Sequence, residues 1–229
     1  MIFRTYIVLA ASLISGIALI ALSSGTAIRS TETKPTLIPP EHLNFFVLGY
    51  QEPVADLLWI RAIQDFDFCE SKPAPNSTPD QYRCEKGWVF HMIQAITELA
   101  PRFKIAHLTG ATMLSVLVND IDGASIVFDK SVLRFPDDGQ LAFRAAYHAL
   151  IEEKNVEKAS RLLIVAGKNG LPPWTFALAG RLQAKAGQLE LAKKTLEDAL
   201  STNPNGAGVE RIQQRLDDVN AELEKQKSK

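Results

Sequence analysis

Along most of the chain apolar residues recur at three- and four-residue spacing, the signature of helices that bury one face. The first stretch departs from that pattern. From Tyr6 through Leu22 the only residues that are not plainly apolar are Ser12, Ser15 and Gly16, and no charge stands between Arg4 and Arg29. A hydrocarbon layer of about 30 Å is crossed by about 20 apolar helical residues, so residues 5–23 read as a membrane-spanning helix. The alternative is a cleaved signal peptide, with Arg4 as its positive region and Ala21-Leu22-Ser23 or Gly25-Thr26-Ala27 as the cleavage site, although the apolar run is longer than such a peptide needs. Residues 24–40, with Pro35, Pro39 and Pro40 among Ser and Thr, read as a tether. Leu43, Phe46, Val47 and Tyr50 then predict a short amphipathic helix that Gly49 and Pro53 interrupt. Val54, Ala55, Leu58, Trp59, Ala62, Ile63 and Phe66 predict a stronger one. At the other end Pro204-Asn205-Gly206 breaks the chain, and a last helix from about Ala207 to Lys225 carries the narrow stripe Ile212, Leu216, Val219 and Leu223.

Between these ends one pattern repeats at a period of about 34 residues. In its clearest copy, Pro173 to Pro204, the marked positions are Phe176, Ala179, Gly180, Ala192, Leu196, Ala199 and Pro204. The copy before it has Phe143, Ala146, Ala159, Leu163, Ala166 and Leu171, and the one before that Leu108, Ala111, Ala124, Phe128, Ser131 and Pro136. A fourth copy is interrupted. Trp59, Ala62 and Phe66 open it and Val89, Ile93, Ile96 and Pro101 close it, but Trp59 and Val89 stand almost twice as far apart as Phe176 and Ala192, so an inserted loop fills about 68–86.

This arrangement resembles the tetratricopeptide repeat (TPR) family, whose unit is a helix-turn-helix. The resemblance implies an all-α fold: a TPR-like helical-hairpin solenoid over 41–206, of about four helix pairs, closed by a C-terminal capping helix and tail at 207–229, behind the single N-terminal transmembrane helix. Small residues such as Ala124, Ala159 and Ala192 would stand where paired helices approach, and Phe128, Leu163 and Leu196 would fill the space between units. The segment Ala55 to Gln64 also resembles the opening helix of membrane-anchored bacterial repeat proteins.

Charge and cysteine usage narrow the compartment and the partners. With 229 residues, a formal net charge of -1 and a pI near 6.4, the chain has no basic field to gather a phosphate backbone, so nucleic acid is not expected as a partner. Cys69 and Cys84 are the two cysteines, and they bracket a loop rich in Pro, Asn and Ser; they are the candidate disulfide. That pairing places the soluble part outside the cytoplasm, in the periplasm behind a bacterial inner membrane; with a cleaved signal the chain would be periplasmic or secreted.

Motifs for chemistry are missing. The four histidines, His42, His91, His107 and His148, are not spaced as metal ligands on one helical turn, and no phosphate loop or nucleophile elbow occurs. Asp120-Ile121-Asp122-Gly123 echoes a calcium loop, but its first ligand position would be Val118, which cannot coordinate a hard cation; the segment reads as a turn between helices. No enzyme activity, cofactor, metal or small-molecule substrate is expected.

The family resemblance implies a peptide-binding groove on the first helix of each unit. The positions carried over include Met113, Val116, Arg144, His148, Trp174 and Arg181, with Lys185 adjacent. The surface would be apolar at one end and basic at the other, suited to a segment with apolar anchors and a carboxylate. The family's carboxylate-clamp set of Lys and Asn is not reproduced. The expected function is a membrane-anchored extracytoplasmic scaffold or adaptor for protein partners in a cell-envelope assembly. The alternative is a chaperone-like TPR module for exported polypeptides, near secretion or cytochrome-assembly machinery. A permanent place in a complex would instead bury Trp59, Trp88 and Trp174 in interfaces.

Overall fold

The computed structural model describes residues 14–16, 38–40, 42–65, 84–202 and 208–228. The chain divides into two compact units, Met1–Leu37 and Ile38–Lys229. Of the first unit only residues 14–16 are described, and they are helical. The rest of the expected anchor at 5–23 lies outside the described residues, and among those described no helix is long and apolar enough to cross a membrane. Most of the inserted loop also lies outside them, including Cys69.

The second unit is all-helical among its described residues. After a 3₁₀ turn at Leu43–Phe45 come α1 (Gln51–Gln64), α2 (Trp88–Leu99), α3 (Lys104–Thr112) running into a π-helical turn (Met113–Leu117), α4 (Ile121–Arg134), α5 (Gly139–Ile151), α6 (Val156–Lys168), α7 (Trp174–Lys185), α8 (Leu189–Thr202) and α9 (Val209–Lys227). Connections from α3 to α8 are only a few residues long, so each helix must reverse direction to pack along the one before it. Three of these turns carry the same device. The side chains of Asp120, Asp138 and Asn155 accept the backbone N–H groups of Gly123, Leu141 and Lys158 at 2.9, 3.0 and 2.9 Å, satisfying donors that the first turn of a helix leaves open. The Asp120-to-Gly123 segment, read from the sequence as a turn between helices, is instead the cap and first turn of α4.

Each helix packs mainly on its neighbours in sequence; the main contacts beyond that are α2 with α4, α3 with α5, and α7 with α9. The core follows suit in three successive clusters, one over α1 to α4 that reaches Ala145 of α5, one over α5 to α7 and one over α7 to α9. Ala124, Ala159 and Ala192 are wholly buried at 0%, and Phe128, Leu163 and Leu196 are buried beside them. At these approaches no larger group fits: a Cβ on Gly180 would lie 2.8 Å from the Leu196 side chain, and one on Gly139 would lie 2.5 Å from the Asn169 carbonyl oxygen. The terminal stripe of Ile212, Leu216, Val219 and Leu223 is buried as expected, on a helix that starts at Val209 after Gly208.

Three expectations need correction. The short helix at 43–50 is a single 3₁₀ turn, because Leu48 and Gly49 take left-handed φ values of 48° and 91° that no right-handed helix contains. Phe46 and Tyr50 are therefore exposed and only Val47 is buried. On α1 the buried line is Ala55 and Ala62, while Ile63 lies exposed with Leu57 and Ile60. Trp88 is 1% exposed and belongs to the chain's own core, so it has nothing to offer an external interface.

Leu196 is fully buried between α7 and α9, and its truncation leaves a cavity that backbone pinned by Gly180 cannot close. Leu196→Ala is expected to lower unfolding stability by about 2–5 kcal/mol, read as a lower urea midpoint of the 38–229 unit. A change under about 1 kcal/mol would show that this approach is loosely packed.

Candidate binding site

Two open clefts lie along α3, α5, α7 and α9, and between them they gather most of the residues expected in the groove. The first, of about 360 Å³, is lined by Val116, Phe128, Phe143, Arg144, Tyr147 and His148, with Thr112, Ser115 and Gln140 at its polar edge. The π-helical turn makes the wall on one side. Its wider coil, closed by the Val118 N–H on the Met113 carbonyl at 3.0 Å, leaves Val116 exposed on the rim while Met113 and Leu114 turn inward. On the other side α5 supplies Phe143, Arg144, Tyr147 and His148. Arg144 and Tyr147 are exposed there, and His148, at 2%, forms the floor.

The floor is a hydrogen-bonded network. His148 Nδ1 lies 2.8 Å from Ser115 Oγ and Nε2 lies 3.0 Å from Ser125 Oγ. Ser125 already donates its hydroxyl to the Ile121 carbonyl at 2.9 Å, so it accepts from Nε2–H; Nδ1 is then the lone-pair nitrogen, and Ser115 donates to it. Burial holds the His148 imidazole below its usual pKa, against the opposing pull of the Glu153 and Glu152 carboxylates. Glu153 in turn pairs with Lys158 at 2.8 Å, and Lys158 reaches Asp129 at 2.7 Å, which ties α4 to the start of α6. Burial alone would raise Glu153 and lower Lys158, but Lys158 and the Ser125 hydroxyl lower Glu153, and Asp129 and Glu153 raise Lys158, holding each in its charged form.

The second cleft, of about 370 Å³, lies between α7 and α9. Trp174, Ala177, Leu178 and Arg181 line it from α7, and Arg211, Gln214 and Arg215 from α9. The clefts adjoin through an edge-on contact of Phe143 with Trp174, ring centres 5.5 Å apart at 88°. Of the groove residues expected from the sequence, Val116, Arg144 and His148 meet in the first cleft and Trp174 and Arg181 in the second. Met113 is buried at 6% and lines neither, and His148 is reachable only from within the cleft. Lys185 is exposed in the last turn of α7 and also lines neither.

Comparison with known protein families and with curated proteins finds no match. The site therefore speaks through its own chemistry. Among the described residues Arg144, Arg181, Lys185 and Arg211 form no ion pair, whereas Arg61, Lys104, Lys130, Lys158, Arg161, Lys193 and Arg215 each have a carboxylate partner. Arg144, Arg181 and Arg211 thus line the clefts uncommitted, while elsewhere Arg102, Arg134, Lys154, Lys168 and Lys194 are also without an ion pair among the described residues. No group of His, Cys, Asp or Glu able to hold a metal occurs among the described residues. Sequence reading missed Ser115, Ser125 and Glu153, which no local spacing connects to His148, and it missed Arg211 and Arg215 on the last helix. Their four-residue spacing on one helix face was the available signal.

His107 forms a second buried imidazole, with Nδ1 2.9 Å from Ser131 Oγ, and burial lowers its pKa as well. For both histidines the unfolded chain binds a proton more readily than the folded one. Their stabilising neutrality is present above the unfolded pKa of about 6.5 and is lost as pH falls below it. Between pH 7.5 and 5.5 the melting temperature is expected to fall, with a slope of at most about 1.4 kcal/mol per pH unit for each imidazole. Thermal melts of a His107→Gln/His148→Gln variant should show a smaller drop over the same interval, and an undiminished drop would place the effect elsewhere.

Proposed function

We propose that the chain is a membrane-anchored scaffold of TPR-like kind, whose helical array stands outside the cytoplasm and holds a protein partner within a cell-envelope assembly. The observation that carries this reading is the first cleft. Its walls of Val116, Phe143 and Tyr147 suit an apolar side chain, the unpaired Arg144 suits a carboxylate, and Ser115 and Gln140 add polar groups at the edge. Apolar walls with a few convergent polar groups are the general form of a recognition site. Supporting the array reading, helices pack chiefly on sequence neighbours and the core runs in consecutive clusters, the quasi-linear organisation of repeat proteins.

A photo-crosslinking residue in place of Val116, in the full chain in its native membrane, should give one or a few discrete adducts, and Arg144→Glu should remove them. A Val116 probe that yields no adduct, or adducts unchanged in yield by the Arg144 reversal, would count against the cleft as the docking site.

The compartment is proposed from the apolar run at 5–23 and the cysteine pair. Cys84 is buried, its thiol is not free, and its backbone N–H bonds the Asn119 carbonyl at 3.3 Å, which anchors the end of the inserted loop on the α3–α4 turn. A Cys69–Cys84 bridge would close that loop and stabilise the fold by roughly 3 kcal/mol in the chain-entropy model. Alkylation of the denatured chain followed by mass measurement should add no label without reductant and label both cysteines after reduction. Full labelling without reductant would remove the disulfide and with it the argument for an oxidising compartment.

A further inference from the structure

The α7–α9 cleft has a chemistry that the first cleft lacks. Trp174, Leu178 and Arg181 fall at four- and three-residue steps on one face of α7, and Arg211, Gln214 and Arg215 do the same on α9, so two helix faces oppose each other across the cleft. Three guanidinium groups line it and no carboxylate does. Arg215 is held by Asp218 at 3.0 Å, but Arg181 and Arg211 have no ion-pair partner among the described residues. This is not an excess spread over the molecule, because acidic residues outnumber basic ones, 26 to 25. Like charges gathered without a counter-charge repel one another, and an anion in the cleft is what relieves them.

The kind of anion follows from the rest of the lining. Arginine presents a planar fork that meets a carboxylate through two parallel hydrogen bonds, where a lysine would act as a point charge. Beside the forks stand the Trp174 ring and the aliphatic Ala177 and Leu178, which ask for an apolar side chain. A free phosphate would use the arginines and leave this wall bare. A segment with carboxylates and an apolar residue among them uses both. The edge contact of Trp174 with Phe143 joins this wall to the first cleft, so a segment seated here continues toward Arg144.

We propose that the α7–α9 cleft docks an extended acidic segment of a protein partner, its carboxylates held by Arg181 and Arg211 and an apolar side chain resting on Trp174. This rests on reading the chain as a binding module and names the chemistry of what it binds. Helix α9 then has two roles: its buried stripe closes the array, and its arginine face completes a site that α7 alone would leave half-built.

The test uses the full chain in neutral detergent and fluorescence anisotropy of a labelled synthetic peptide, several glutamates flanking one leucine, with a lysine-for-glutamate peptide as counterpart. The glutamate peptide is expected to bind, to weaken as salt is raised, and to lose about tenfold or more in affinity in Arg181→Glu/Arg211→Glu. Arg181→Gln/Arg211→Gln, which removes the forks without adding repulsion, should weaken it in the same direction, and Arg102→Glu, the same charge change at the α2–α3 turn, should leave it unchanged. Circular dichroism of each variant establishes that the helices are intact. Absence of glutamate-peptide binding, equal binding of the lysine peptide, or unchanged affinity in both double variants would overturn the proposal. Displacement of the peptide by phosphatidylglycerol-containing micelles, but not by inorganic phosphate, would assign the cleft to anionic lipid and overturn it too. Loss of the Val116 adducts with peptide binding intact would fail the broader scaffold reading alone, and the reverse outcome would fail this proposal alone.

Discussion

Everything in the described part of this protein depends on one packing constraint: no helix here can bury its apolar stripe without the next one in the chain. The contact surfaces that satisfy this are narrow because small residues stand at the closest approaches. Ala124, Ala159 and Ala192 are wholly buried, and Gly180 lies so near Leu196 that a methyl group would not fit. Close approach lets one large side chain per layer reach both neighbours, which is why the core forms consecutive clusters and no central one. Such an array leaves one row of helices facing outward, and a row of side-by-side helices has clefts between its members. The candidate sites are thus a consequence of how the core is packed.

Polar groups reinforce the stack at the turns. The caps at Asp120, Asp138 and Asn155 fix where α4, α5 and α6 begin, and the Asn169 side chain donates to the Pro136 carbonyl at 2.9 Å, linking one connection to the next. Between α4, α5 and α6 the Asp129 and Glu153 carboxylates share the Lys158 ammonium, and burial keeps His148 neutral. Lys158 therefore has little charge left for a ligand. Arg144, Arg181 and Arg211, on the cleft-bearing helices, keep theirs. This distribution of charge is invisible in a net value of -1.

One departure from helical regularity borders the first cleft. The π-helical turn at Met113–Leu117 puts an extra residue into the coil, which rotates Met113 and Leu114 inward, sets Ser115 against His148 and leaves Val116 on the rim. A regular helix would hold Met113 and Val116 on one face, as the repeat spacing assumed. The left-handed Leu48 and Gly49 similarly end the first helical turn early and leave Phe46 and Tyr50 outside.

Helix positions, the small and large core residues and the stripe of the final helix are properties of local spacing and of burial. Both leave their mark on the order of residues: a helix must place its buried side chains at three- and four-residue steps, and a close approach tolerates only Gly or Ala. These were legible before any coordinates. The clefts were legible only in part, since Val116, Arg144, Trp174 and Arg181 occupy regular helix positions, whereas Arg211 and Arg215 become part of a site only because α9 folds back onto α7. The Ser115, His148, Ser125 and Glu153 network joins elements distant in sequence, and the π-helical turn that aims Ser115 into it depends on packing between helices. No pattern along one strand of residues encodes such a meeting; it exists only once the helices are stacked.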